Sequence, residues 1–308
     1  MDLRQLEIVR AVAETGSFTA AGTRLHVSQS AISRQILLLE EEVREPLFVR
    51  MGRRVKITPA GEAILELSHR VLDDIRETSA ALLDKQKTLS GTLNMVGGMT
   101  VCLYVFPHLI KEFRKHHPQV DIKIAVGGTV RLQRLVRTRQ ADLALLTLPI
   151  DDPMLTSVPV FREELMLVMP SNHPLASTRG AVPVRALVGQ PFVLFEAGSN
   201  TRRTQDEFFL REHIKPRVVA ETENVEIIKS MVASGLGISI VPFLPVERET
   251  RGGSLRVARI KDAQLVRETG WVYRAGERVP RVVQEMMATL TRISDQIQPA
   301  SDERRHRA

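Results

Sequence analysis

The 308-residue sequence predicts a multidomain α+β protein with a helix-turn-helix, a long linker helix and two C-terminal α/β lobes. Three observations predict this architecture. Two short helical patterns are separated by a His-Val step near the N-terminus. A proline-free helical pattern follows, and strands alternate with helices beyond it. A chain of this length exceeds one ordinary core and suits two or three domains.

The composition excludes several classes of protein. Hydrophobic residues make up 43% and charged residues 26%, as is typical of globular proteins. No apolar run approaches the about 18 residues of a membrane span, and no secretory signal is visible, so we expect a cytoplasmic protein without a membrane partner. The single cysteine, Cys102, excludes an internal disulfide. A net charge of +7 suggests an anionic partner.

The N-terminal segment predicts three helices. Gly16 is expected to end the first, Ser17 to cap a second over residues 18–25, and Ser28 to cap a third. A buried stripe on the third helix is expected to consist of Ile32, Ile36 and Leu39. The side chains off that stripe are Gln29, Ser30, Ser33 and Arg34. Such a helix start suits the DNA major groove, where Gln pairs with adenine and Arg with guanine. A three-helix bundle with a solvated polar face is the alternative.

A basic hairpin is predicted next. Leu47 to Val49 lead into it, Met51-Gly52 is expected to make the turn, and residues 55–57 run back. Its four cations, with no acid among them, are Arg50, Arg53, Arg54 and Lys56. Cations beside a recognition helix suit the sugar-phosphate backbone. A solvated hairpin is the alternative.

Thr58-Pro59 is typical of a helix start and opens the long linker helix. Its apolar stripe consists of Ile64, Leu67, Val71, Ile75 and Leu82. A helix of about 29 residues spans about 43 Å, too long for one small domain to cover. The stripe therefore predicts a homodimer through the same helix of a second chain. Packing along the chain's own C-terminal domain is the alternative.

Beyond the linker helix, the strand–helix alternation predicts two α/β lobes with a mostly parallel sheet. Two such lobes usually bind a ligand in the cleft between them. The sequence contains no GxSxG, GxxxxGK[ST] or HExxH motif, so no enzyme class is indicated. His116, His117 and His173 lack metal-ligand spacing, and no cofactor or metal is expected.

The motifs "SFTAAGTRLHVSQSAISRQILLLEEEV", "PLFVR", "ITPAGEAIL", "ELMLVMPSNHPLA" and "NVEIIKSMVASGLGISIVP" together resemble LysR-type transcriptional regulators. The family usually has Gly shortly before Pro-Leu-Phe, where this chain has Arg44-Glu45. The resemblance implies a winged helix, a dimerising linker helix and an effector domain that folds like a periplasmic solute-binding protein. It also implies binding to double-stranded promoter or operator DNA, a homotetramer if the effector domains pair, and RNA polymerase as a further candidate partner.

The domains expected on this basis are a DNA-binding domain (1–58), a linker helix (59–88), a hinge (89–92), an effector-binding domain (93–295) and a disordered tail (296–308). Residue by residue, the resemblance implies an effector cleft built from Met99, Thr100, Thr129, Thr147, Ser199, Asn200, Thr201 and Val225. Hydroxyls and helix N-terminal amides suit a small organic or inorganic anion.

Several alternatives remain open from the sequence. Thr129 and Ser199 or Asn200 could simply cap their helices. The protein could respond to oxidation through Cys102, although a lone cysteine has no internal resolving partner. It could also be a solute-binding protein without a DNA function, against which the basic hairpin argues.

Overall fold

The computed structural model describes residues 1–51, 54–83, 89–178 and 180–297. Residues 50, 51, 54, 73, 76–78, 80–83 and 295 are described only by their backbone. The chain divides into two compact units, with the main boundary between residues 88 and 89. Within the described ranges, no helix is both long enough and apolar enough to cross a membrane.

The first unit packs helices and a hairpin around one core. Its elements in chain order are α1 (Leu3–Thr15), α2 (Phe18–Leu25), α3 (Gln29–Val43), β1 (Phe48–Met51), β2 (Arg54–Ile57) and α4 (Pro59–Leu83). The predicted caps are confirmed: Ser17 accepts a hydrogen bond from the Ala20 amide, and Ser28 accepts one from the Ala31 amide. Gly16 ends α1 in the left-handed conformation, at φ 64°. Capping side chains satisfy helix amides that have no partner inside the helix.

The end of α3 differs from the family's usual glycine exit. Arg44 itself takes the left-handed conformation there, at φ 58° and ψ 27°. The following turn is held by Glu40, whose carboxylate accepts hydrogen bonds from the Leu47 amide at 2.7 Å and the Phe48 amide at 3.2 Å. The chain therefore leaves α3 through the left-handed conformation that usually requires glycine, although the residue there is arginine.

The hairpin is confirmed as an antiparallel pair, and its turn prediction is corrected. Met51 is a strand residue whose Cα pairs with Arg54, so the turn does not begin at Met51. Gly52 and Arg53 lie outside the described residues. The hairpin is joined to the helices by the Val55 amide, which donates to the Gly16 carbonyl at 3.1 Å.

Helix α4 has an apolar stripe, which the sequence predicted, and a second, buried face, which it did not. Leu65, Ser68 and His69 are buried, and the Ser68 hydroxyl donates to the Leu6 carbonyl of α1 at 2.8 Å. The predicted stripe lies on the neighbouring face, where Val71 is half-buried and Ile75 is 43% exposed. Leu82 lies outside the described side chains. One face thus serves the chain's own core, and Ile64 of the stripe packs beside it, whereas Val71 and Ile75 remain accessible.

The second unit contains two lobes. The first lobe has the elements β3 (Ser90–Gly97), α5 (Met99–Tyr104), α6 (Phe106–His116), β4 (Gln119–Val126), α7 (Thr129–Arg137) and β5 (Leu143–Thr147). The long strand β6 (Leu155–Pro170) leads to the second lobe, which opens with two short 3₁₀ helices, Pro174–Ser177 and Val184–Leu187. The second lobe continues with β7 (Pro191–Phe195), α8 (Asn200–Arg211), β8 (Arg217–Thr222), α9 (Val225–Ala233), β9 (Ser239–Pro242), α10 (Phe243–Arg251) and β10 (Leu255–Ala258).

The chain then returns to the first lobe through β11 (Val266–Arg274) and ends, within the described part, in α11 (Arg281–Ile297). Strand β6 pairs with β11 over its first part and with β9 and β10 over its second, so β6 belongs to both lobes. The lobes are therefore joined through strands.

The prediction of a mostly parallel sheet is wrong. Strand β3 pairs in parallel with β4 and β5, and β7 pairs in parallel with β8. The pairings of β6 and β11, in contrast, are all antiparallel. The reason is topological: β11 brings the chain back between the lobes beside β6, which had carried it out.

The predicted hinge and tail boundaries are also corrected. Residues 90–92 lie in β3 and pair with Gln119, Val120 and Asp121, and Leu89 is buried in the first lobe's core. The predicted hinge, residues 89–92, therefore consists of a buried core residue followed by the start of strand β3. Likewise, residues 296 and 297 belong to α11, and Ile297 is buried. Residues 298–308 lie outside the described ranges.

Candidate DNA-binding and effector sites

The first turns of α3 present the polar surface that the sequence predicted. Ile32, Ile36 and Leu39 are buried in the core of the first unit. Gln29, Ser30 and Arg34 are exposed, and Ser33 is half-buried. The approach of α2 to the turn before α3 is tight, since a Cβ on Gly22 would lie 2.7 Å from the Val27 carbonyl oxygen. Close packing of this kind fixes the angle at which α3 leaves the domain.

Two of these polar side chains are linked to each other. The Gln29 amide nitrogen donates to the Ser33 hydroxyl at 2.8 Å, and the Ser28 and Ser30 hydroxyls lie 2.9 Å apart. The hydrogen bond to Ser33 holds the Gln29 side-chain amide against the helix in one orientation. A side chain held in this way loses less conformational entropy when it meets a base edge.

The charges of the first unit separate into paired and free groups. Arg10 and Arg24 both bind Glu14, and despite its partial burial these hydrogen bonds hold the pKa of the Glu14 carboxyl below its ordinary value. Arg34, in contrast, has no ion-pair partner among the described residues. Its charge is therefore available to an external anion. Among the basic hairpin residues, Arg53 and the side chains of Arg50 and Arg54 are not among the parts that the structure describes.

A cavity of about 80 Å³ opens between the two lobes of the second unit. Seven of the eight predicted effector residues line it: Met99, Thr100, Thr129, Thr147, Ser199, Asn200 and Thr201. Its position follows from topology, because the carboxyl ends of β3 and β5 and the amino ends of α5, α7 and α8 converge there.

The first lobe supplies free hydroxyls. The side chains of Thr100, Thr129 and Thr147 are half-buried at the cavity, and within the described part of the chain no hydrogen-bond partner is found for them. Thr129 is the first residue of α7, and the Leu132 amide bonds to the Gly128 carbonyl, so Gly128 takes the cap position. The prediction that Thr129 caps this helix is wrong, and its hydroxyl is available to a ligand.

The second lobe's residues are already engaged within the protein. Ser199 caps α8 by accepting a hydrogen bond from the Arg202 amide, as the capping alternative predicted. The Asn200 side chain donates to the Thr147 carbonyl at 2.5 Å and the Pro149 carbonyl at 3.0 Å. These two bonds join the lobes. Asn200 thus ties α8 to the end of β5 and closes one side of the cavity.

Arg267 is a cavity residue that the sequence analysis did not identify. It lies in β11 with only 4% of its side chain exposed, and it donates to Glu163 at 3.0 Å and to the Thr201 hydroxyl at 2.8 Å. Glu163 neutralises its charge, since a buried cation needs a partner. The segment "VRETGWVYR" has no pattern that marks Arg267 as a site residue. Only the crossing of β11 beneath the cleft brings it there.

Val225 is not at the cavity. Its side chain is fully buried in the core of the second lobe, where the first residue of α9 packs against β7. Glu223, two residues earlier, lines the cavity instead. Its carboxylate oxygen Oε2 lies 3.1 Å from the place a Cβ would take on Gly128. The prediction that Val225 lines the effector cavity is therefore wrong.

The surroundings of Cys102 favour its protonated thiol over the thiolate. It is half-buried on α5, its Sγ lies 3.4 Å from the Gly97 carbonyl, and burial raises its pKa to about 11. Thiolate is the form that oxidants attack, so little reactive Cys102 exists at neutral pH. Among the described residues, no group of three His, Cys, Asp or Glu side chains is placed to hold a metal ion.

Comparison with known proteins gives a concordant result. The family model "Bacterial regulatory helix-turn-helix protein, lysR family" matches residues 3–62, and "LysR substrate binding domain" matches residues 86–294. A probable RuBisCO transcriptional regulator of Synechocystis sp. is 32% identical over 86% of this chain and 78% of its own. One of the same description from Cyanophora paradoxa is 34% identical over 86% and 83%.

Among solved structures, a full-length cysteine variant of OxyR from Pseudomonas aeruginosa superposes with a TM-score of 0.80 at 27% identity. The match covers 94% of each chain, and so includes both units. Family models that together span most of the sequence, relatives above 30% identity and the shared fold point the same way. The chain belongs to the LysR family of transcriptional regulators, with an N-terminal helix-turn-helix DNA-binding domain and a C-terminal effector-binding domain.

Proposed function

We propose that this regulator reads operator DNA through Gln29, Ser30, Ser33 and Arg34, and that a small anion bound between its effector lobes switches it. The exposed start of α3 supports the first part, since Arg34 has no carboxylate partner among the described residues and Ser33 holds the Gln29 amide. Arg50, Arg53 and Arg54 are assigned to the phosphate backbone on their sequence positions alone.

The observation that carries the effector proposal is the set of hydroxyls at the cavity. Thr100, Thr129 and Thr147 converge there from three elements without protein partners in the described residues. The first amides of α7 lie beside Thr129, and such amides favour negative charge. Arg267 adds a buried cation whose remaining donors can be shared. A cavity of about 80 Å³ suits an anion of a few heavy atoms.

The cavity is proposed to bind its ligand without transforming it. Its ionisable lining groups are Arg267, which is already paired with Glu163, and Glu223, with no His, Cys or Lys among the described lining residues. A general acid–base pair or an activated nucleophile would need such a neighbour. We therefore assign the protein no enzymatic activity, and we place it in the cytoplasm with the DNA that it regulates.

The working assembly is proposed to be a homodimer through α4, and a homotetramer if the effector domains pair. Two-fold symmetry then presents two copies of α3 to two half-sites on the operator. RNA polymerase is a further candidate partner once the regulator is bound at a promoter.

A gel shift with the DNA upstream of the protein's own gene tests the DNA-binding part. Gln29→Ala and Ser33→Ala should each weaken operator binding by roughly 1–3 kcal/mol, because a bidentate base contact or its support is lost. Ser177→Ala, on an exposed 3₁₀ helix of the effector domain, is the matched control. Unchanged affinity and sequence preference in both α3 variants would reject the recognition assignment.

A thermal-shift screen of small organic and inorganic anions tests the effector part. A ligand at 100 times its dissociation constant adds about 2.7 kcal/mol of stability. We expect a hit that Thr100→Val weakens and that Thr178→Val, outside the cavity, leaves unchanged. A hit unaffected by cavity substitutions would place the effector elsewhere.

A further inference from the structure

A polar cluster behind the effector cavity joins the two lobes. At its centre the ammonium of Lys229 on α9, 6% exposed, donates to Glu226 at 2.9 Å, Glu249 at 2.8 Å and the Tyr104 hydroxyl oxygen at 3.0 Å. The Tyr104 hydroxyl in turn donates to Glu226. Glu226 and Glu249 belong to α9 and α10 of the second lobe, whereas Tyr104 ends α5 of the first.

The electrostatics make this cluster a firm contact. Burial alone would lower the pKa of Lys229, but its hydrogen bonds to Glu249, Tyr104 and Glu226 outweigh that effect and raise the pKa. Burial and the bond to Glu226 likewise raise the pKa of Tyr104, so its hydroxyl keeps the proton that it donates. Hydrogen bonds with a charged partner are stronger than neutral ones.

The Tyr104 ring strengthens the same connection. It packs against the second lobe's core, beside the hydroxyl that binds Lys229 and Glu226. A first-lobe side chain is thus embedded in the second lobe by its ring and its hydroxyl.

The other end of α5 is at the effector cavity. Met99 and Thr100 are its first two residues, and both line the cavity. Six residues of helix span only about 9 Å, and so short a helix moves as one body. The Cys102 amide bonds to the Gly98 carbonyl at 3.0 Å, which ties the first turn to the glycine at the end of β3.

We infer that Tyr104 is a positioning residue for effector binding, which fixes α5 against the second lobe and so sets Met99 and Thr100 in the cavity. The inference rests on the proposed effector function for its ligand, but the placement of α5 can be tested without one. An effector that moves Thr100 must move Tyr104 against Lys229, and this couples the occupied cavity to the relation between the lobes.

Hydrogen exchange of the full-length protein without ligand tests the placement. Tyr104→Phe keeps the ring and removes the hydroxyl with its hydrogen bonds to Glu226 and Lys229, so the amides of residues 101–104 should exchange at least about fivefold faster. Tyr273→Phe is the matched control, because Tyr273 is the chain's other tyrosine and packs in the first lobe's core. Unchanged exchange in Tyr104→Phe, or an equal change at α5 in both variants, overturns the inference.

Calorimetric titration with inorganic phosphate adds a readout that a merely structural role would not move. Tyr104→Phe should weaken phosphate binding about three- to tenfold while the melting of the N-terminal unit stays unchanged. Equal phosphate affinity in wild type and variant contradicts the positioning role. If phosphate binds neither protein, the anion proposal loses its support, and the exchange rates at α5 still decide the role of Tyr104.

Discussion

Arg44 ends α3 in the left-handed conformation, in which its Cβ crowds its own backbone. Its side chain is exposed and has no hydrogen-bond or ion-pair partner among the described residues. Arg44→Gly should therefore raise the free energy of unfolding of the N-terminal unit by about 1 kcal/mol. The measurement is the melting transition of that unit in the full-length protein.

Glu41→Gly gives the matched control for that substitution. Glu41 is also exposed near the end of α3 but has helical backbone, so glycine there should lower stability by about 1 kcal/mol. Opposite signs at two positions three residues apart would identify backbone conformation as the cause. Destabilisation by both glycines would show that Arg44 contributes a contact.

Single residues also show where prediction from sequence succeeds. Ser17, Ser28 and Gly16 were identified correctly because capping is local and depends on residues within one turn. The threonines of the cavity follow strand ends or open helices, which is again a local pattern. Arg267 and Glu223 carry no such signal, because only long-range strand pairing and the approach of the second lobe bring them to the cleft.

Helix α4 illustrates what a sequence pattern leaves undecided. The periodicity identified the stripe through Val71, but not the adjacent face through Leu65 and Ser68 that packs on α1. Residues of the two faces alternate along the helix, and because Ser68 and His69 are polar, a hydrophobic pattern does not mark the second face as buried. Ile64, at the start of the stripe, packs against the same core, whereas Val71 and Ile75 remain accessible, which supports a contact between two chains.

Val71→Asp tests that contact. Two-fold symmetry would place two carboxylates in one apolar seam, and an uncompensated buried charge costs about 3–5 kcal/mol. Sedimentation should show at least a hundredfold weaker dimer, with DNA affinity reduced in parallel because half-sites are bound in pairs. Arg70→Asp, at an exposed position away from the stripe, is the control and should leave the dimer intact. An unchanged oligomer in Val71→Asp would move the interface elsewhere.

The complete effector domain differs from its predicted form in the strands that connect its lobes. Local alternation predicted each βα unit, whereas the pairings of β10 and β11 with β6 join strands that are far apart in the sequence. Strand β6 runs without a break through both lobes, whereas β10 and β11 are joined by residues 259–265, so motion between the lobes has to bend β6. Arg267, which lines the cavity, pairs with Glu163 across β11 and β6.

This arrangement predicts how Thr129 affects the whole regulator. Its hydroxyl opens α7 without a partner in the described structure, so Thr129→Val should remove one hydrogen bond to the anion and keep the side-chain shape. A bond to a charged group contributes about 1.5–3 kcal/mol, so the inducing anion should be needed at a tenfold or higher concentration. DNA affinity without anion should equal that of wild type, because the first unit is untouched.

Footprinting of the operator across an anion titration measures this effect, with Thr291→Val on the exposed face of α11 as the control. The anion can shift the regulator only by its different affinity for the two lobe arrangements. Removing a contact made in one arrangement reduces that difference, whereas removing a hydroxyl on α11 does not. A Thr129→Val protein whose footprint changed at the wild-type anion concentration would show that α7 does not contact the effector, and sensing would then have to rest on the α5 and β5 side of the cavity.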